Sequence, residues 1–166
     1  ATVSYAVGTL KAKRIAIFRP VYVSNSGLTD TEYMADVLKA ALQRMGRHVS
    51  YDLKLPSNSS SNDVIALLTP FLASKPQVAI MVGFSDTVIA LFIGILQAMP
   101  AAAIPKGMVL MGNGVFNVVA QATFAAMGAT PTNFDIIGLS PEKPFSDAAD
   151  PFVAEYLAAV SPPSAY

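Results

Sequence analysis

Val78-Ala79-Ile80-Met81-Val82-Gly83-Phe84-Ser85-Asp86-Thr87 opens an apolar run that continues to Met99, and the reading of this run decides the fold. About 20 apolar residues suffice to span a bilayer. Ser85, Asp86 and Thr87 interrupt the run near its middle, and a charge there is expensive in hydrocarbon. A buried strand over residues 77–82, a polar turn, and a core helix opened by Ser85 or Asp86 and closed near Met99 fit better than a membrane span. Pro100 and Pro105 keep the following link from being helical.

The same alternation extends in both directions. Upstream, residues 14–18 (Arg-Ile-Ala-Ile-Phe) read as a buried strand. Thr29 and Glu32 have the spacing of a capping box. Beyond them Tyr33, Met34, Val37, Leu38, Ala41, Leu42 and Met45 recur at helical spacing, and Gly46 suits the stop. Val49, Tyr51 and Leu53 alternate with Ser50 and Asp52, as in a half-covered edge strand. Ser60 and Asp63 cap a second helix running to about Ala73. Downstream, residues 107–111 form a fourth strand, Gly112-Asn113-Gly114 turns into a helix ending near Met127, and residues 135–138 form a weak fifth strand. Residues 140–150 read as a loop, and Asp150-Pro151 starts a last helix to about Val160.

Strands alternating with helices predict an α/β fold, a three-layer, doubly wound parallel sheet of about five strands in the order 2-1-3-4-5 with helices on both faces. Residues 1–160 form a single lobe and residues 161–166 a linker or tail. In such sheets ligands bind beyond the carboxyl ends of the strands, near the switch point. That rule selects the segments after strands one, three and four: residues 19–29, 83–87 and 112–114.

Composition narrows the chemistry. The 166 residues are 53% hydrophobic and 13% charged, enough for a sizeable core in one domain. Eleven basic and eleven acidic residues cancel, so nothing points to nucleic acid as a partner. There is no Cys, hence no disulfide, thiolate nucleophile or zinc thiolate site, and His48 is the only imidazole. The chain does not start with Met and shows no basic segment ahead of an apolar one, so a signal peptide is expected to be absent or removed. Asn58-Ser59-Ser60 is an N-glycosylation triplet in an expected surface loop.

No motif supplies catalysis. Gly83-Phe84-Ser85-Asp86 suggests a nucleophile elbow, but the second Gly of Gly-x-Ser-x-Gly is missing. The base is missing too, because His48 is expected at the opposite end of the sheet. Ser85 and Asp86 read as helix caps. Asp30, Glu32, Asp36, Asp52 and Asp86 show no placement suited to a general acid and base or to a metal. No metal and no cofactor is expected. Ser24-Asn25-Ser26-Gly27-Leu28-Thr29 resembles the phosphate loop of flavodoxins, which implies flavin mononucleotide binding as the alternative function, an electron carrier. Residues 19–23 intervene between strand and loop, whereas in flavodoxins the loop follows the strand at once. Tyr22 or Phe84 would have to replace the missing Trp against the flavin.

The order of segments carries a second resemblance. Residues 13–18, a helix ending in Leu42-Gln43-Arg44-Met45-Gly46, residues 49–56, Lys75-Pro76-Gln77 entering a strand, and a strand running into Gly112-Asn113-Gly114-Val115-Phe116 are together similar to the second lobe of type I periplasmic-binding-like proteins. Within that group, Leu55-Pro56-Ser57, residues 71–82, and Val115-Phe116-Asn117 running into Thr123-Phe124-Ala125-Ala126 resemble the extracellular region of trypanosomatid receptor-type adenylyl cyclases. The resemblance implies a non-catalytic ligand-binding sensor lobe on the extracellular face of the cell. The parent chain would carry the membrane span and a cyclase domain elsewhere, so this segment itself contacts no membrane. Carried over by position, the ligand contacts are Tyr22, Ser24, Asn25, Ser26, Phe84, Ser85 and Asn113. Asn113 stands where amino-acid binders often have an acidic group, which weakens the case for an amino-acid ligand. The implied partners are a small molecule, the companion lobe of the same parent chain, and a second copy through apolar helix faces.

Overall fold

Alternation along five short apolar segments builds one all-parallel sheet. In the computed structural model, which describes residues 2–21, 30–83, 85–128 and 133–139, the strands are β1 (Ile15–Val21), β2 (Val49–Pro56), β3 (Val78–Met81), β4 (Val109–Asn113) and β5 (Asp135–Leu139). Their order is β2-β1-β3-β4-β5, as the sequence predicts. The helices are α1 (Thr2–Ser4), which runs into a π-type turn at Tyr5–Thr9, then α2 (Asp30–Arg44), α3 (Ser61–Ala73), α4 (Asp86–Ala98) and α5 (Gly114–Met127). The expected loop at 140–150, the last helix and the tail lie outside the described residues.

The run from Val78 to Met99 divides as its polar centre requires. β3 is buried throughout, Gly83 turns the chain at φ +93°, and the Ser85 hydroxyl caps α4 by accepting from Val88 N at 3.4 Å. The chain leaves α4 extended at Met99, and a 3-10 turn at Ala101–Ala103 follows Pro100. Among the described residues no helix is long and apolar enough to cross a membrane. α2 starts at Asp30, so its expected cap Thr29 lies outside the described residues. Its end is explicit: Gly46 adopts φ +67°, Gly46 N donates to Gln43 O at 2.9 Å and Arg47 N to Leu42 O at 2.9 Å. This is a Schellman closure. Ser60 and Asp63 form a complete capping box on α3.

Two departures from the expected pattern matter for function. β1 does not stop at Phe18 but continues through Arg19, Pro20 and Val21. A proline in a central strand should remove a ladder bond. Phe18 O accepts from Val82 N, and Val21 O accepts from Ser57 N, so alternation turns the nitrogen of Pro20 toward the β3 side. The last pair between these strands is Phe18 with Met81, so no partner N–H or carbonyl is lost there. The second departure is in β2. The register shifts between Ile15 and Ala16, which face Val49 and Tyr51, so Ser50 is an extra residue. Val49 therefore packs on one face of the sheet while Tyr51, Leu53 and Leu55 pack on the other.

The faces are unlike. Ala16, Phe18, Ala79, Met81 and Leu110 meet α3, α4 and α5 in a core that includes Phe71, Phe92 and Phe116. Ile15, Val78, Ile80 and Met111 meet α2 and the N-terminal helical segment through Leu42, Val3 and Ala6.

Candidate functional site

The switch point of this order lies between β1 and β3. Phe18 pairs with Met81 and Ile80 with Met111, so the carboxyl ends of β1, β3 and β4 stand side by side. Three helices, α2, α4 and α5, begin at this edge. Their N-termini, with the positive ends of their dipoles, lie along this same edge.

The expected contacts divide into three groups. Ser85 stands after β3 with its hydroxyl engaged in capping α4. Asn113 is the last residue of β4, not part of a turn, and α5 begins at once at Gly114. These two come from neighbouring strand ends. Tyr22, Ser24, Asn25, Ser26 and Phe84 lie outside the described residues.

Close backbone approach holds the edge together. Gly83 lies against the start of α2, and a Cβ there would collide with Thr31 Cγ2 and stand 3.6 Å from Pro20 Cγ. Thr31 itself is 3% exposed. Gly112 lies under the Phe116 ring, which a Cβ would strike. That ring packs edge-on to Phe18 at 5.9 Å, so the turn out of β4 is tied to the aromatic core.

Below the edge is a charged cluster that the sequence reading missed. Arg19, 3% exposed, points to the α2 face. Its Nε donates to Asp52 Oδ1 at 3.0 Å and its Nη2 to Asp52 Oδ2 at 3.2 Å, a bidentate grip. Nη1 approaches Glu32 Oε1 at 4.0 Å without a hydrogen bond. Lys39 Nζ reaches Asp52 Oδ2 at 2.9 Å and Asp36 Oδ1 at 3.6 Å. Burial alone raises the Asp52 carboxyl, but hydrogen bonds from Arg19 and Lys39, with their positive charge, outweigh it and hold Asp52 below the ordinary carboxylate range. A signal was available: Arg19 continues the Ile15, Ile17 alternation, and the Ser50 bulge brings Asp52 to the same face.

His48 immediately precedes Val49, whose partner is Ile15 at the amino end of β1, whereas Ser85 follows the carboxyl end of β3. The two are at opposite ends of the sheet and form no dyad. Among the described residues no three His, Cys, Asp or Glu side chains are grouped to hold a metal. A groove of about 830 Å³ runs between α4 and α5 from Thr87, in the first turn of α4, along Ala90, Gly94, Ala122 and Ala126.

No protein-family model, curated protein or solved structure matches the chain.

Proposed function

We propose that this chain is a non-catalytic, ligand-binding lobe of an extracellular receptor, one wall of a cleft closed by a companion lobe. The observation that carries the reading is the adjacency of the ends of β1, β3 and β4 at the switch point, where α2, α4 and α5 begin. The positive dipole ends of these helices suit a small polar or anionic solute better than an apolar one. The similarity of segment order to type I periplasmic-binding-like lobes, and to the extracellular region of receptor-type adenylyl cyclases, supplies the receptor context. Closure over a solute would shift a two-state equilibrium in the parent chain. A single lobe offers half of that cleft, so its affinity is low.

The test is a titration of the ¹⁵N-labelled chain with free amino acids and sugars at millimolar concentration. Amide shifts are expected at Thr31, Gly83, Ser85 and Asn113, with the solute recovered unchanged. Shifts confined to the His48 end, or conversion of the solute, would overturn the reading.

A second reading, a flavin mononucleotide-binding electron carrier, is favoured by one observation. Because β1 runs to Val21, only Tyr22 and Val23 separate the strand from the Ser24 to Thr29 segment. The flavodoxin-like spacing is closer than the sequence alone suggests. Quenching of flavin fluorescence on adding the chain would establish this reading, and unchanged fluorescence at high protein concentration would remove it.

A further inference from the structure

We infer that Asn58 is an acceptor for an N-linked oligosaccharide, attached before α3 closes its cap. The inference rests on the extracellular reading, since the modification belongs to a secretory route. Asn58-Ser59-Ser60 has the required pattern, and Asn58 is exposed in the turn after β2. That turn is pinned to the sheet: Ser57 N donates to Val21 O at 2.8 Å and Ser59 N to Pro56 O at 3.0 Å. β2 is the edge strand, separated from β3 and β4 by β1. Asn58 therefore follows the carboxyl end of the outer strand, with β1 between it and the ends of β3 and β4.

The third residue supplies the order of events. The acceptor rule demands a hydroxyl two positions after the asparagine, so the transferase reads that hydroxyl. In the folded chain it is taken. Ser60 Oγ donates to Asp63 Oδ2 at 2.6 Å and accepts from Asp63 N at 3.3 Å, while Ser60 N donates to the same Oδ2 at 2.8 Å. The Ser60 hydroxyl and N–H, donating to the carboxylate, hold Asp63 below its ordinary range. Folding thus withdraws the group that the transferase needs. In the reaction the Asn58 side-chain nitrogen attacks the anomeric carbon of a lipid pyrophosphate-linked oligosaccharide. The N–C bond forms, the C–O bond to pyrophosphate breaks, the amide loses one proton, and the lipid pyrophosphate leaves. No oxidant or reductant is needed.

The experiment expresses the chain behind a secretory leader in a eukaryotic cell, with an Asn-x-Thr acceptor appended at its C-terminus. The appended acceptor reports passage through the secretory route, so failure of the inference is separable from failure of the extracellular reading. Among molecules modified on the tag, wild type is expected to carry two glycans removable by glycosidase, Asn58→Gln one, and Ser60→Thr two. Wild type carrying only the tag glycan would overturn the inference. The order is tested with purified transferase and its lipid-linked donor. A peptide covering residues 54–64 is expected to be modified, folded wild-type chain hardly at all, and Asp63→Ala chain severalfold faster than wild type. Folded wild type reacting as readily as the peptide would overturn the order.

Discussion

Adjacent residues of β1 serve two different interiors. Phe18 stacks on Phe92 at 4.3 Å and meets Phe116 edge-on, inside the layer covered by α3, α4 and α5. Arg19 enters the opposite layer, beneath α2, where it meets Asp52 and Glu32, and Lys39 joins it on Asp52. The aromatic layer gains from removing carbon from water and from close ring packing. The charged layer gains little net energy, because desolvation of the ions offsets their attraction. What it gains is definition: a bidentate grip fixes β1 against β2 just before the chain enters the edge where three helices begin.

The largest effect is expected on the aromatic side. Phe92→Ala should lower stability by about 3–5 kcal/mol, read as a fall in melting temperature of roughly 10 °C. A change below ~1 kcal/mol would show that the rings are not a close-packed core. On the charged side, Asp52→Ala leaves a buried guanidinium with Glu32 alone, and a loss of about 3 kcal/mol is expected in denaturant titration. Replacing both partners, Arg19→Leu with Asp52→Leu, should recover to within ~1 kcal/mol of wild type. A double variant as unstable as the single one would break the contrast between the layers.

Acid sharpens the same contrast. The folded Asp52 carboxyl titrates below its unfolded value, so its contribution is complete above the ordinary aspartate range and disappears as pH falls through the lower folded value. Chemical denaturation of wild type between pH 6 and 2, in pH units chosen around that range, should therefore show an acid loss that Asp52→Asn reduces and Phe92→Ala leaves unchanged. Smaller again is Gly83→Ala. It combines positive φ with a collision at Thr31, and about 1–3 kcal/mol is expected. Ser60→Ala, which opens the α3 cap on the outer rim of the aromatic layer, should cost ~1 kcal/mol by thermal melting.

Most of the sheet was readable because its signals are local. Apolar runs, Ser60 with Asp63, Ser85 and Gly46 each mark a boundary through their own chemistry. The end of β1 was hidden because Pro20 looks like a stop, and only the shortness of β3 makes it harmless. α1 and the π-type turn were missed although Val3, Ala6, Val7 and Leu10 stand at helical spacing, because the stripe is only two turns long and has no side-chain cap; these residues are ordered by the sheet they cover. At the candidate site, the strand ends were readable from the winding rule. The Arg19 cluster was not, because its main partner, Asp52, comes from 33 positions away and reaches its face through a one-residue bulge.

The contact of Gly83 with Thr31 couples two connections that are distant along the chain. One begins α2, the other leads into α4, and no atom fits between them. A side chain added at position 83 therefore has to push the first turn of α2 away from the end of β3, so the spacing of these two elements is set by the absence of a single carbon.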